Sequence, residues 1–126
     1  MVWNDDQSKR KATGGKRRAY RAHRIHDIGR YPVETILGDN KVKKVSGRAG
    51  IEKIKLVKAA VVNVSDPSTG KTEKLEILDV ISNPANADYN RRGVITKGTI
   101  VRTEKGLARI ISRPGQTGAL SAIVQK

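Results

Sequence analysis

The uneven distribution of large aliphatic side chains most constrains how this chain folds. Residues 4–24 contain no Val, Ile or Leu, whereas residues 51–126 contain 22 of them in 76 positions. A segment without such side chains buries too little apolar surface to offset the conformational entropy lost on ordering. The sequence therefore predicts a folded body that follows a segment unable to fold on its own.

The same N-terminal segment is strongly basic. From Lys9 to Arg24 it holds eight Lys and Arg residues and no acid, and the whole chain has 26 basic against 12 acidic residues, a net charge of +14. One interpretation is a solvated tail. The excess also extends to the body, with 13 basic and 7 acidic residues in 51–126, and this favours a polyanionic partner such as nucleic acid. We therefore predict a basic arm over residues 1–30, ordered by phosphates, and a binding body over residues 31–126.

Several classes of protein are excluded by composition. The chain has no Cys, which excludes disulfides, thiolate metal sites and a cysteine nucleophile. No apolar run approaches the roughly 18 residues that a transmembrane helix needs. The first residues are polar and lack a hydrophobic signal segment, so we expect a cytoplasmic protein with no membrane partner.

The body has the pattern of short β-strands. Turn signals containing Gly separate short, β-branched segments at intervals typical of an all-β barrel or sandwich, and a closed barrel leaves no exposed strand edge. Residues 74–81 also fit one face of a helix, but their β-branched content and the preceding turn at 66–70 favour a strand. Residues 83–93 are predicted as a polar loop. The predicted strands are 41–46, 53–64, 74–81, 94–95, 99–103, 107–111 and 119–124.

Two glycine motifs resemble nucleotide-binding loops. Residues 68–72 match the end of a P-loop, but Ser65 stands where its first Gly is required, and a strand pattern follows instead of a helix. Residues 47–50 match the GxxG loop of KH domains, but their flanks alternate like strands. Both are interpreted as hairpin turns, the second carrying Arg48 towards phosphate.

The sequence contains no motif that indicates catalysis or metal binding. The only histidines, His23 and His26, have no Cys or acidic cluster to complete a metal site. No nucleophile triad and no pair of carboxylates for acid–base work is evident. We expect no enzyme activity, no cofactor and no small-molecule substrate.

Five strings in a fixed order carry a family resemblance. They are KATGGKRR at 11–18, IGRYPVET at 28–35, NPAN at 83–86, RRGVITKG at 91–98 and SRPGQ at 112–116. Together they closely resemble the archaeal form of the small-subunit ribosomal protein family S-eight-e. The resemblance implies a six-stranded, barrel-like body with an extended basic N-terminal arm. It also implies residence on the small subunit, bound to its ribosomal RNA (rRNA) and beside neighbouring small-subunit proteins, without catalysis.

The predicted RNA contacts combine cations, flexible glycines and stacking side chains. Cations neutralise phosphates, Gly14 and Gly15 allow the arm to bend, and Tyr20, His23 and Tyr31 stack on unpaired bases. The predicted site comprises Lys9, Arg10, Lys11, Gly14, Gly15, Lys16, Arg17, Arg18, Tyr20, Arg21, His23, Arg24, Arg30, Lys43, Lys44, Arg48, Arg91, Arg92, Lys97 and Arg113.

Two other functions stay open at this point. A small chromatin-like protein that coats DNA needs the same charge. An enzyme that handles nucleoside triphosphates would have to use the turn at residues 70–72.

Overall fold

The computed structural model describes residues 2–3, 10–18 and 21–125, with only the backbone described at Val2, Trp3 and Arg48. The chain divides into two compact units, Met1–Pro32 and Val33–Lys126.

The first unit contains little regular structure in its described residues. Strand β1 (Val2–Trp3) pairs antiparallel with β2 (Ile28–Gly29), and a 3₁₀ turn over Ile25–Asp27 leads into β2. A second antiparallel bridge joins Arg10 to Lys16. The described part of this unit therefore contains turns and short pairings, and it is not extended throughout.

The second unit begins with a three-stranded sheet. Strand β5 (Glu52–Ala59) lies in its centre, antiparallel to β4 (Lys41–Ser46) and parallel to β3 (Ile36–Leu37). The register of β4 on β5 shifts between Lys41 and Val42, which marks a bulge. The prediction of a strand over 41–46 is confirmed to the residue.

The remaining strands close into a barrel. These strands are β6 (Val61–Ser65), β7 (Thr72–Ser82), β8 (Ile100–Thr103), β9 (Gly106–Ile110) and β10 (Ser121–Val124). Neighbours run antiparallel except β10 and β6, which pair in parallel and complete the ring. The prediction of an all-β protein with a barrel is confirmed. The closed barrel has five strands, so the count of six implied by the resemblance is not confirmed.

Alternation along the barrel strands fills the interior with aliphatic side chains. Inward positions such as Val62, Ile77, Val101 and Ile110 are almost fully buried, and Leu56 at the sheet joins the same cluster. Buried side chains recur at about every second residue, because successive side chains of a β-strand point to opposite faces. No residue of the first unit belongs to this core among the described residues.

Local departures from the predicted strands have identifiable causes. The single strand predicted over 53–64 is two strands, because the chain passes from the sheet to the barrel at Ala60. The carbonyl oxygen of Ala60 accepts a hydrogen bond from the Ile77 N–H at 2.9 Å. The polar loop contains a short helix α1 (Ala87–Arg91), which Asn86 caps by accepting from the Asp88 N–H at 3.0 Å.

A second short helix, α2 (Pro114–Thr117), lies against β5. It starts on a proline and ends at Gly118, whose φ of +69° is the left-handed conformation that favours glycine. A Cβ atom at Gly118 would lie 2.5 Å from Cγ2 of Ile54. Among the described residues, neither α-helix has the length to cross a membrane.

Candidate nucleic-acid interface

A tight turn organises the basic N-terminal segment. The Lys11 N–H donates to the Gly15 carbonyl at 2.9 Å, and the Gly14 N–H donates to the Lys11 carbonyl at 3.0 Å. Gly14 has a φ of +85°, and the Arg10 guanidinium donates to its carbonyl oxygen at 2.9 Å. We call residues 10–18 the basic hairpin. Glycine at position 14 permits the backbone of the basic hairpin to reverse direction.

Four cations of the basic hairpin surround one open depression. Lys11, Lys16, Arg17 and Arg18 line it, and all four side chains are exposed. In the described part of the chain no carboxylate lies within salt-bridge distance of any of them. Like charges held around one concavity repel each other, and the positive potential there favours an anion.

Arg21 is held by an acid within the same unit. Its guanidinium donates to both oxygens of Asp27, at 2.6 and 3.1 Å, and the Arg24 N–H donates to Oδ2 at 3.1 Å. His26 Nε2 lies 3.3 Å from the same carboxylate. Arg21 therefore anchors the 3₁₀ turn before β2, a role that its position in the basic run did not reveal.

The Asp27 carboxyl is expected to titrate well below its ordinary pKa of 3.8. The hydrogen bonds from Arg21, and then that from the Arg24 N–H, favour the ionised form and lower the pKa. The stability gained from this lowered pKa is present above 3.8 and is lost as the pH falls through the folded-state value. Carbon-detected NMR titration should show the shift and should show it reduced in Arg21→Gln. An ordinary pKa in the wild-type chain would contradict the contact.

The two arginines of the body loop are also paired with acids. The Arg92 guanidinium makes a bidentate contact with Glu34, with Nη1–Oε2 and Nη2–Oε1 distances of 2.5 and 3.0 Å. Its Nη2 also lies 2.9 Å from Oδ2 of Asp88. These contacts, the hydrogen bond to Glu34 first, raise the pKa of Arg92. Arg91 reaches the other oxygen of Asp88 at 2.9 Å. Helix α1 accounts for the two contacts with Asp88, because it places Asp88 three residues before Arg91 and four before Arg92.

The two loop motifs behave as turns. Gly70, with a φ of +67°, donates its N–H to the Asp66 carbonyl at 2.9 Å, and β7 follows directly. Residues 47–50 lie within the turn, residues 47–51, that joins the antiparallel strands β4 and β5. The rejection of the P-loop and KH interpretations is therefore confirmed.

Comparison with known sequences identifies the family. The sequence profile of ribosomal protein S8e matches residues 4–125. The chain belongs to this family. The protein named small ribosomal subunit protein eS8 in Methanocorpusculum labreanum is 44% identical over 124 residues, which cover 98% of each chain. Its counterpart in Staphylothermus marinus is 46% identical over 125 residues, again 98% of each chain. That in Methanocella arvoryzae is 45% identical over 118 residues, 94% of each chain.

Membership in the S8e family confirms the resemblance drawn from the five strings. The family is one of structural ribosomal proteins, so the prediction that the chain is not an enzyme is confirmed as well. No cluster of three or more His, Asp or Glu side chains suited to a metal is present among the described residues.

One string that carries the S8e resemblance has a structural role. Asn83 is 4% exposed, and its side-chain amide donates to the Val94 carbonyl at 2.6 Å. Its Oδ1 accepts from the Ala85 N–H at 3.0 Å and from the Thr96 hydroxyl at 3.1 Å. The NPAN and RRGVITKG strings are thus tied together through one buried amide.

The other predicted contact residues are scattered over both units. Lys43 and Lys44 lie on opposite faces of β4, because side chains alternate along a strand. Exposed side chains are also found at His23, Arg24, Arg30, Lys97 and Arg113. Lys9 and Tyr20 lie outside the described residues, as does the side chain of Arg48.

Several cations of the three-stranded sheet lie outside the site predicted from the sequence. Lys41, Lys53, Lys55 and Lys58 were not among the predicted contacts, although β4 and β5 bring them beside Lys43. The signal was present as alternating lysines at 41 and 43 and at 53 and 55. Only the register between the two strands shows that they share one surface.

Proposed function

We propose that this chain is a constituent of the small ribosomal subunit and binds folded rRNA through the basic hairpin. The observation that carries the proposal is the open depression lined by Lys11, Lys16, Arg17 and Arg18. The relatives of the chain are named small ribosomal subunit proteins. These names support a cytoplasmic location on the ribosome beside rRNA and neighbouring proteins.

Binding at the basic hairpin is driven by release of counterions from phosphates. Each phosphate contact contributes about 0.7–0.9 to the slope of log affinity against log salt. Four contacts therefore contribute about three units of slope, which corresponds to roughly 10³-fold in affinity between about 1 M and 0.1 M salt. The family membership favours RNA over the alternative of a DNA-coating protein.

Recognition at this surface depends on the shape of the RNA more than on its base sequence. Ammonium and guanidinium groups contact phosphates, which carry no base identity. Folded RNA crowds phosphates together and presents 2′-hydroxyls, and a compact cluster of cations suits such places. Stacking by Tyr20 and His23 on unpaired bases remains a part of the proposal, worth about 1–3 kcal/mol for each base.

The proposal is tested by removing the four charges that line the depression. A full-length variant with Lys11→Gln, Lys16→Gln, Arg17→Gln and Arg18→Gln is titrated against a small-subunit rRNA fragment at several salt concentrations. We expect the salt slope to fall by about three units. Because all four side chains are exposed, thermal unfolding of the variant should match that of the wild-type chain.

A matched control removes the same charge elsewhere. The substitutions Lys71→Gln, Lys74→Gln, Arg102→Gln and Arg109→Gln change exposed barrel side chains and should alter the slope by less than one unit. Equal losses in the two variants would mean that net charge alone matters and would refute the hairpin site. Competition with duplex DNA of equal length distinguishes the chromatin alternative, since tighter binding of DNA would overturn the assignment to rRNA.

A further inference from the structure

Strands β4 and β5 form an antiparallel pair, called here the ribbon, in which lysines lie directly opposite one another. In the antiparallel register Lys43 faces Lys55, and Lys41 faces Lys58. Residues opposite each other in such a pair project from the same face, with Cβ atoms about 4.5–5.5 Å apart. Like charges in these positions repel, so this arrangement works against the stability of the isolated protein.

A bulge gathers five lysines on one face. Lys58 pairs with Lys41 while Leu56 pairs with Val42, so Val57 is an extra residue in β5. The burial pattern follows the bulge, since Leu56 and Ala59 are buried whereas Lys58 is exposed. The face that bears Lys43 and Lys55 therefore also bears the other three lysines of the ribbon. We call this face, with Lys41, Lys43, Lys53, Lys55 and Lys58, the lysine face.

The lysine face is directed away from the protein interior. Leu56 belongs to the core cluster, and Ile54, on the same side as Leu56, lies against Gly118 at the end of α2. The opposite side of the ribbon is therefore the outer one. Four of its lysines are exposed and Lys55 is partly buried. Among the described residues no carboxylate is within salt-bridge distance of any of the five.

We propose that the lysine face is a second polyphosphate-binding surface, which takes successive phosphates of an rRNA strand along the ribbon. This inference rests on the proposed function, because it assumes that RNA is the partner. Side chains two residues apart on one strand are about 7 Å apart, so the lysines form three successive rows along the ribbon: the pairs Lys41/Lys58 and Lys43/Lys55, and then Lys53 alone. Phosphates spaced along a nucleotide chain neutralise such rows and relieve the repulsion between paired lysines.

The composition of the lysine face favours a nucleic acid over a protein as its occupant. The centres of protein–protein interfaces are enriched in aromatic residues and depleted in lysine. The lysine face has the reverse composition, with partly buried Val45 and Val57 between the ammonium groups and no aromatic side chain. Point charges on flexible stems suit phosphate contact without base readout.

The test exploits the opposite signs that the proposal predicts for stability and for binding. In the full-length Lys43→Gln/Lys55→Gln variant the paired charges are removed. The salt slope for an rRNA fragment should fall by about 1.4–1.8 units, which amounts to roughly 30-fold weaker binding at about 0.1 M salt. The thermal midpoint without RNA should stay the same or rise, because a repulsive pair is gone.

A control and the hairpin variant separate the possible outcomes. Lys71→Gln/Lys74→Gln removes two exposed barrel lysines and should leave binding nearly unchanged. Wild-type affinity and slope in the ribbon variant would overturn this inference while leaving the hairpin proposal intact. A loss in the ribbon variant with none in the four-fold hairpin variant would support the lysine face and refute the hairpin. A lowered thermal midpoint would show that the lysines serve the fold, and it would refute the inference.

Discussion

Deletion of residues 1–30 is expected to leave the remaining chain folded and to lower its affinity for rRNA by about 10³-fold at about 0.1 M salt. The deletion removes the four cations that line the depression of the basic hairpin. Every residue of the core cluster lies between Leu56 and Ala122, so the deleted part contributes nothing to it among the described residues. The loss in affinity should shrink as salt rises, because the lost contacts are those with phosphates.

Folding and binding of the truncated chain are measured separately. The only tryptophan is Trp3, which the deletion removes, so folding is followed by amide NMR and far-ultraviolet circular dichroism. The full-length four-fold hairpin variant is the control, since it keeps the chain length and removes the charges. It should bind nearly as weakly as the truncated chain. An unfolded truncated chain would show that the first thirty residues form part of the fold, and would contradict their description as a separable arm.

The fold was predictable where the determinants are local. Residues 41–46 form a strand with the predicted bounds, and the turn at 66–70 precedes a strand, because alternation and turn residues act over a few positions. Closure of the barrel depends on the parallel pairing of β6 with β10, between residues more than fifty positions apart. Local patterns carry no information on that pairing, so they could not supply the number of strands in the ring.

Short helices were missed for a different reason. Helix α1 has five residues and α2 has four, too few for a periodic pattern to be visible. The signals that mark them are at their ends. Asn86 caps the first helix, while Pro114 and Gly118 bound the second. Within a loop rich in Asn, Pro and Gly, these signals are also those of ordinary turns.

The sequence predicts where the cations of the candidate site are concentrated, but not which of them form ion pairs with acids. The basic run from Lys9 to Arg24 marks the hairpin directly. The partner of Arg21 is six residues away, and Glu34, the partner of Arg92, is 58 residues away from it. Which cations are neutralised within the protein therefore depends on the fold. The lysine face is the converse case, because its charges come together only through the register of two strands.

The largest loss of stability from a single substitution is expected for Asn83→Ala. The Asn83 side chain satisfies the Val94 carbonyl, the Ala85 N–H and the Thr96 hydroxyl, and it is almost fully buried. Alanine leaves these three groups without that partner, and each such loss costs about 1–3 kcal/mol. We expect the free energy of unfolding to fall by about 3–5 kcal/mol, a large fraction of the 5–15 kcal/mol typical of a small domain.

Thermal unfolding of full-length Asn83→Ala, followed by circular dichroism, measures this loss. A decrease of about 3 kcal/mol lowers the melting temperature by roughly 15 °C in a domain of this size. The matched control is Asn63→Ala, since Asn63 is exposed on β6 and its loss should change the free energy of unfolding by less than about 0.5 kcal/mol. Equal melting temperatures for the two variants would show that the buried amide does not hold the loop.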